Sequence, residues 1–529
     1  MSQLLVHRKW VGKRIPRLED EIFLRGQAKY VADIQLPNML YAAVVRSQYA
    51  HARLKKVDVS KAKQLSGVVD IITGEEMRKH VRMTVDEFWA AGGPGKSSLK
   101  IAASKATKEF PLAYDKVRFV GEPIAVVVAE DPYVAEDALE LVEVEYEPLP
   151  PVVDPEKAME KGAPLVYEDW GDNIYYYHRV RVGNAEKALR ESDRVFKRKF
   201  VIGRSTGAST ETMGCVAQYD PATKQLIVWS SNQMPHVLRF AIAAVLGIPE
   251  NTIRVIAPRI GGGFGIKANT YPHEFFIPYI AMKLGRPVMY MESRREYFLE
   301  QRGGMWRTHY VEVGIKNGKI HAWKEKIIQD DGAYPNWAAG YLALPCAQLP
   351  GPYKINNIWV DGYSVVTNKC PGGAYRGFGD NQMTYVREHM IDIIAKELGV
   401  SPVEFRLRNM IQDNEFPYVS STGLQYDSGS FVRCMKKALE LVGYDEIIKK
   451  KEKEPNIGVG IANMIERSSC RNLPLRFDAD YDAVVVRVEP TGVITIYSSS
   501  VPHGQGHETT MAQIIADIFG VDIKDVRII

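Results

Sequence analysis

Gln225-Leu-Ile-Val-Trp-Ser230, a helix-like run from Pro235, Gly247-Ile-Pro-Glu-Asn-Thr-Ile-Arg-Val-Ile256 and the loop Gly261-Gly-Gly-Phe-Gly265 form one unit, and the chain starts that unit again near its end. The second copy reads Val493-Ile-Thr-Ile-Tyr-Ser498, a helix-like run, and Gly520-Val-Asp-Ile-Lys-Asp-Val-Arg-Ile-Ile529. Gly247 matches Gly520, Ile253 matches Val526, Arg254 matches Arg527 and Ile256 matches Ile529. Short β-branched runs flanking a 3.6-period segment read as strand, helix, strand. In the first helix Leu238, Ala241, Ile242, Val245 and Leu246 share a face; in the second Met511, Ile514, Ile515, Ile518 and Phe519 do. A duplicated unit with glycine loops at its strand ends predicts one large ligand held between two half-domains. No second glycine loop follows Ile529, so the rest of the site is expected elsewhere. The second helix is then expected to expose apolar surface.

Outward from this unit, the chain divides further. Residues 1–15 read as an arm. Residues 16–151 read as an α/β domain: Ile124-Ala-Val-Val-Val-Ala129 as a buried strand, Asp131-Pro132 as a helix N-cap with proline at the first turn, and Val142-Glu-Val-Glu-Tyr146 as a half-buried strand. Pro148-Leu-Pro-Pro151 ends the domain. Residues 152–183, with Tyr175-Tyr-Tyr177, read as an extended surface connector. Residues 184–448 form the first half-domain, the lysine-rich 449–455 a solvated linker, and 456–529 the start of the second half-domain. The fold class is α+β / α/β.

A net charge of +4 is small for 529 residues and gives no reason to expect a nucleic-acid or membrane surface. No run approaches the length of a membrane span, and Met1–Trp10 lacks the apolar stretch of a secretory signal, so a cytoplasmic location is expected. Cys215, Cys346, Cys370, Cys434 and Cys470 are far apart. That excludes a local zinc ribbon or iron–sulfur run and suits scattered reduced thiols.

Three loops can carry chemistry. Ile260-Gly-Gly-Gly-Phe-Gly-Ile-Lys267 lets backbone N–H groups converge on an anion or oxo group. Its spacing fails both the dinucleotide fingerprint and the Walker pattern, which disposes of a nicotinamide-dependent dehydrogenase. Pro371-Gly-Gly-Ala-Tyr-Arg-Gly-Phe-Gly-Asp-Asn-Gln382 sets a fixed cation beside an aromatic wall. Val501-Pro-His-Gly-Gln-Gly-His-Glu508 precedes the second helix, whose N-terminus suits a phosphate or polar ring. His503 and His507 lie in a glycine loop without a completing carboxylate or cysteine cluster, so a metal pair is discounted. The repeat places the first and third loops in related positions around one ligand.

Together with Ala50-His-Ala-Arg53, Val120-Gly-Glu-Pro123, Asp137-Ala-Leu-Glu-Leu-Val-Glu-Val144 and Thr367-Asn-Lys369, these loops resemble the molybdenum hydroxylase family over essentially the whole chain. That family comprises the molybdopterin-binding large subunits of xanthine dehydrogenase, aldehyde oxidoreductase and carbon monoxide dehydrogenase relatives. The resemblance implies an N-terminal hammerhead domain followed by a two-part cofactor domain. It implies a molybdenum–molybdopterin cofactor in the cytosine dinucleotide form, with the metal carried by the pterin and no protein metal ligand. The implied cofactor-binding residues are Gly262, Gly263, Phe264, Gly265, Ala374, Arg376, Gly504, Gln505 and Gly506. The implied substrate pocket comprises Phe378, Ala268 and Leu344. The implied chemistry is hydroxylation of an electrophilic carbon with oxygen from water, a glutamate acting as base.

Departures from the family pattern narrow the reading. The family's catalytic glutamate is expected beyond Ile529, so no catalytic residue is assigned within the chain, and neither Glu211 nor Glu508 is promoted to that role. A glutamine that relatives place close to the metal is not evident in Gly203-Arg-Ser-Thr-Gly-Ala-Ser209. Ala268 stands where purine-oxidising relatives have a glutamate, and Gly377 where carbon monoxide dehydrogenases have a copper-binding cysteine. An aldehyde or aromatic heterocycle is the expected substrate. The expected partners are an Fe–S small subunit, an FAD medium subunit and, if the subunit is split, a C-terminal large-subunit fragment. The chain alone is expected to be inactive. The competing reading is a non-catalytic protein that keeps the fold.

Overall fold

The computed structural model describes residues 9–90, 105, 107–466 and 482–529. The first eight residues of the predicted arm, and Cys470, lie outside the described residues.

The largest sheet has seven strands, in the order Ile253–Ile256, Gln225–Ser230, Gly214–Asp220, Val288–Met291, Leu40–Arg46, Pro123–Ala129, Val68–Thr73. Three of these strands come from the N-terminal domain and four from the first half-domain. The two are stitched by parallel pairing of Leu40 with Val288 and Tyr41 with Met289. The predicted boundary at residue 151 is therefore not a boundary of this sheet. Pairing between segments so far apart leaves no mark in local periodicity. Pro123–Ala129 is buried throughout because it has a strand on either side. Asp131 caps the next helix, accepting N–H donation from Tyr133 at 2.8 Å. Arg46 crosses the seam to Glu300 at 2.6 Å and Glu296 at 3.0 Å.

A five-stranded sheet follows, in the order Ile174–Val182, Ile358–Val366, Lys319–Gly332, Trp306–Lys316, Arg194–Ile202. Its edge strand Ile174–Val182 falls in the segment read as a surface connector. The segment is extended, but it pairs antiparallel with Ile358–Val366 and buries Tyr175. Tyr167, Trp170 and Tyr175 form a core with Tyr334 and Val365. Tyrosine combines a large apolar body with a polar tip, so a tyrosine run is compatible with either setting. The predicted linker 449–455 also differs: helix Tyr444–Lys453 covers most of it, with no buried residue.

In the first copy, Gln225–Ser230 pairs in parallel with Ile253–Ile256, and the helix Pro235–Leu246 between them ends at Gly247 with φ 65°. The second copy pairs Ile494–Ser498 in parallel with Val526–Ile528 and ends its helix His507–Phe519 at Gly520 with φ 70°. Positive φ at both ends is the left-handed stop that glycine makes without strain. Each unit also has an antiparallel strand before it, Gly214–Asp220 in the first and Val484–Val488 in the second, so the repeat is one strand longer than its sequence signature.

The two helices differ in how far their apolar faces are covered, and the second exposes apolar surface as expected. The five predicted residues of the first helix are its buried set. The second helix instead buries Thr509, Ala512 and Ala516, leaving Ile514, Ile518 and Phe519 exposed. Its small residues face a three-stranded sheet, Ile515 packs partly against the same core, and the described residues leave Ile514, Ile518 and Phe519 uncovered.

The N-terminal segment grips that second helix. The Lys9, Trp10 and Val11 N–H groups donate to the Asp517 carboxylate at 3.0, 2.9 and 2.8 Å. Gln513 donates to the Trp10 carbonyl at 2.8 Å, and Trp10 packs into the second copy's core. The described part of the arm is thus docked along the helix.

Candidate functional site

Parallel strands bring their C-terminal ends to one edge, and loops leaving that edge can share a ligand. Two do so in the first copy. Gln225–Ser230 leads into the turn containing Gln233, and Ile253–Ile256 leads into the glycine loop. These two segments meet: the Gly265 N–H donates to Gln233 Oε1 at 2.9 Å, and the Gln233 N–H to the Lys267 carbonyl at 2.8 Å. A methyl group added at Gly263 would lie 2.5 Å from the Gln233 amide carbon, which explains glycine there.

The glutamine sought between Gly203 and Ser209 is absent from that stretch, and Gln233 is the glutamine that stands against the loop. A signal for it existed. Gln233 follows the first strand of copy one as the 501–506 loop follows the first strand of copy two. The related positions in the repeat are therefore the 501–506 loop and the Gln233 turn, whereas the 261–265 loop follows the second strand.

Glu211 braces the glycine loop from below. One of its carboxylate oxygens accepts the Gly261 N–H at 2.8 Å and the Lys267 ammonium at 2.7 Å. Burial pushes the Lys267 pKa down, opposed by Glu211. A carboxylate tied at both ends of a loop serves to hold it.

The first and second loops are joined directly: the Arg376 N–H donates to the Phe264 carbonyl at 2.9 Å. Phe264 and Phe378 both occupy the left-handed region, at φ 54° and 49°. A non-glycine residue held there is strained by about 1–3 kcal/mol, and such strain concentrates at functional sites. Phe378 packs against Tyr341 with ring centroids 5.4 Å apart, and Tyr341 donates to Asn269 Oδ1 at 3.2 Å. Asn269 returns to the end of the first loop, donating to the Ile266 carbonyl at 3.0 Å.

The third loop reaches the first through His503, whose Nε2 lies 3.3 Å from Gln233 Nε2. Its Nδ1 lies 3.1 Å from the Val501 carbonyl. These partners fit the Nδ1–H tautomer, with Nε2 accepting. Burial lowers the imidazole pKa, favouring the neutral form. No side chain caps the helix that starts after Gly506, so its first N–H groups remain available. Among the described residues, no group of three or more His, Cys, Asp or Glu side chains is placed to hold a metal ion.

All three loops open on one cleft of about 1300 Å3. Gly262, Phe264, Gly265, Ala268, Arg376, Phe378, Gly504, Gln505 and Gly506 line it. Gly263 and Ala374 lie just beneath; a methyl group on Gly265 would come within 3.2 Å of the Ala374 carbonyl. Leu344 does not line the cleft. It sits on the helix Ala338–Ala347, in an apolar cluster with Ile411, Leu424 and Tyr426, and borders a separate cavity of about 470 Å3. An interior leucine on an all-buried helix gives no periodic sign of which side it faces. Sequence reasoning also missed Arg17, Phe23, Tyr30, Arg259 and Glu466, which line the cleft as well.

A molybdopterin cofactor-binding domain family matches residues 166–410, and a second family of the same description matches 437–529. Residues 25–150 match the a/b hammerhead domain of aldehyde oxidase and xanthine dehydrogenase. The carbon monoxide dehydrogenase large chain of Afipia carboxidovorans is 35% identical over 98% of this chain and 66% of its own length. The nicotinate dehydrogenase large molybdopterin subunit of Eubacterium barkeri is 30% identical over 82% of this chain and 98% of its own length. Among solved structures, quinoline 2-oxidoreductase from Pseudomonas putida 86 superposes with a TM-score of 0.90 at 32% identity, covering 100% of this chain and 68% of that one. The chain belongs to the molybdenum hydroxylase family, within its molybdopterin-binding large subunits. It spans about two thirds of the carbon monoxide dehydrogenase large chain, and nearly all of the Eubacterium subunit.

Proposed function

We propose that the cleft holds a molybdenum–molybdopterin dinucleotide, in its cytosine form, and that the protein hydroxylates an aldehyde or aromatic heterocycle as part of a larger enzyme. The observation that carries this reading is the convergence of three glycine-bearing loops on one cleft, with an Arg376 guanidinium that has no ion-pair partner among the described residues. The donor set suits the group. Gly263 and Phe264 have backbone N–H groups unused within the described residues, and Arg376 offers a cation to an anionic ligand. Gly504, Gln505, Gly506 and the open helix N-terminus suit the phosphates or base of the dinucleotide.

The bound group would supply the redox chemistry that oxidises the substrate. The chain's own residues bind and orient. Gln233 fixes the turn at Gly265, the Glu211–Lys267 pair fixes its two ends, and Phe378 presents an aromatic wall where a planar substrate can lie. Gly377 carries no side chain, and among the described residues no cysteine lines the cleft to offer a soft copper ligand. Ala268 offers no hydrogen bond to a purine, which supports a less polar substrate.

The general base is assigned to a glutamate outside these 529 residues, on a C-terminal large-subunit fragment if the subunit is split. Electrons leave through Fe–S and FAD subunits, and the chain alone is inactive. A cytoplasmic setting agrees with the four described cysteines being free thiols.

Metal and nucleotide analysis of the protein purified from its native host tests the reading. Molybdenum with a released pterin cytosine dinucleotide is the expected result. Their absence from a preparation that retains its partner subunits would overturn it.

A further inference from the structure

Where the N-terminal domain joins the first half-domain, one arginine faces three glutamates. Glu296 and Glu300 stand one turn apart on the helix Arg294–Glu300, and Glu292 lies just before its N-cap Ser293. Arg46, at the end of the strand Leu40–Arg46, donates to Glu300 at 2.6 Å, to Glu296 at 3.0 Å, to the Tyr290 hydroxyl at 2.8 Å and to the Gly121 carbonyl at 2.8 Å. The Tyr290 hydroxyl donates in turn to Glu296 at 3.1 Å. Glu292 receives no bond from Arg46. It is 4% exposed, and among the described residues its carboxyl accepts only the Met213 N–H, at 3.2 Å. Its other oxygen, like one oxygen of Glu300, is buried with no hydrogen-bond partner among those residues.

The other groups around Glu292 supply no cation for it. Arg302 is paired with Glu109, and Lys267 with Glu211 at 2.7 Å. His273 has both ring nitrogens buried without a partner among the described residues, and burial lowers its pKa to about 3, so it is neutral. Burial raises Tyr271 and Tyr290, which are neutral too. An ionised Glu292 would therefore be a buried charge beside two like charges that already share Arg46. Burial, reinforced by the Glu300 charge, pushes its pKa up to about 8.

Glu292 is also strapped to the wall of the cleft. Its N–H donates to the Met213 carbonyl at 3.0 Å, and its carbonyl accepts the Thr212 hydroxyl at 2.8 Å. Two residues on, Arg294 donates to the Ser209 and Thr210 carbonyls at 2.7 and 2.6 Å. Residues 209–213 are thereby held to the seam, and Glu211, the brace of the glycine loop, stands among them.

We infer that Glu292 keeps a proton in the folded protein, and that this proton is a switch whose loss to water loosens the 209–213 segment and, with it, the glycine loop. A neutral carboxyl can lie beside Glu300 and still accept from Met213; an ionised one is repelled by both neighbouring glutamates. Every group involved belongs to the chain, so the switch does not depend on what the cleft holds. Its folded pKa lies above the ordinary carboxyl value of 4.5, so its stabilisation is complete below that value and is lost as pH rises to about 8, above which the loss is constant.

The test is backbone amide exchange, corrected for the intrinsic rate at each pH, on the assembled protein from its native host, as wild type and Glu292→Gln. In wild type, protection of 209–213 and 261–265 is expected to fall at least about tenfold between about pH 5 and about pH 8 and then to level, with the five-stranded sheet unchanged. Glu292→Gln keeps the shape without a titrating group, so its protection should stay flat and exceed wild type at about pH 8 by about the same factor. An infrared difference spectrum between the two at neutral pH should show one protonated-carboxyl band belonging to wild type. Flat protection in wild type, a pH response that survives in Glu292→Gln, or the lack of that band overturns the inference. The wild-type exchange profile decides by itself should the variant fail to fold.

Discussion

The two copies of the strand–helix–strand unit share a backbone plan and differ in what surrounds them. The first copy lies in a seven-stranded sheet, and its helix packs into a core that also holds Val85, Phe88 and Leu112 of the N-terminal domain. The second lies in a three-stranded sheet. Its core is Ile494, Ile496, Ala512, Ala516, Ile523 and Val526, supplemented by Trp10 from the arm. Its outer strand, Val484–Val488, is exposed along its whole length. One pattern of apolar residues thus produces a buried helix where a second layer exists and a half-covered one where it does not. Apolar periodicity says which residues seek cover; neighbouring elements decide whether they find it. Both copies nevertheless supply the cleft, one through Gln233 and the 261–265 loop, the other through the 501–506 loop.

Truncating a helix residue in each copy is the largest test of this contrast. Ile242→Ala empties a fully buried site in the first copy and should cost about 2–5 kcal/mol. Ile514→Ala removes a side chain that is 48% exposed and should change stability by no more than about 0.5 kcal/mol. Chemical denaturation reads both, and equal losses would mean that the second helix is covered as fully as the first.

The arm offers the next test. Asp517→Ala leaves the N–H groups of Lys9, Trp10 and Val11 without their acceptor, a loss of about 1–3 kcal/mol. It should appear as faster amide exchange across 507–529, with the seven-stranded sheet unchanged. Uniform loosening of both copies would contradict a local latch.

A smaller difference is expected between glycines. Gly265→Ala meets the Ala374 carbonyl at 3.2 Å as well as strain at φ 90°, whereas Gly504→Ala has φ 105° and open space around it. The first should lower the thermal midpoint more, by about 1 kcal/mol in equivalent terms. Comparable shifts would mean that the contact between the first and second loops is slack.

The weakest effect is the pH dependence of the bridge between copies. The folded His503 pKa is lowered, so its contribution is complete above the ordinary imidazole value and is lost as pH falls through the folded one. Protonation puts an N–H opposite the Gln233 amide. Exchange at 501–506 should therefore rise on acidification, by less than about 1 kcal/mol, and His503→Gln should flatten that response. An unchanged pH response in His503→Gln would assign the titration elsewhere.

Much of the site was legible because glycine leaves a mark that other residues do not. Gly261–Gly265, Arg376 with Phe378, and Gly504–Gly506 could be picked out by type and order, and all of them reach or line one cleft. Leu344 could not be placed, since nothing local distinguishes a core leucine from a pocket leucine. Gln233 lies outside the 203–209 stretch where a glutamine was expected, and its contact with Gly265 depends on the turn after the first strand meeting the glycine loop, which local pattern does not show. Glu466 had no motif at all.

The sequence by itself determined the repeat, its helix stops at Gly247 and Gly520, the three loops and the family they belong to. Those depend on local backbone chemistry, which is written residue by residue. The tertiary structure alone decided that the N-terminal strands complete the first copy's sheet, that the arm braces the second copy, and which side chains of the second helix are covered. Those outcomes depend on pairings between residues hundreds of positions apart, and such pairings are fixed by which surfaces meet, not by any stretch of chain read alone.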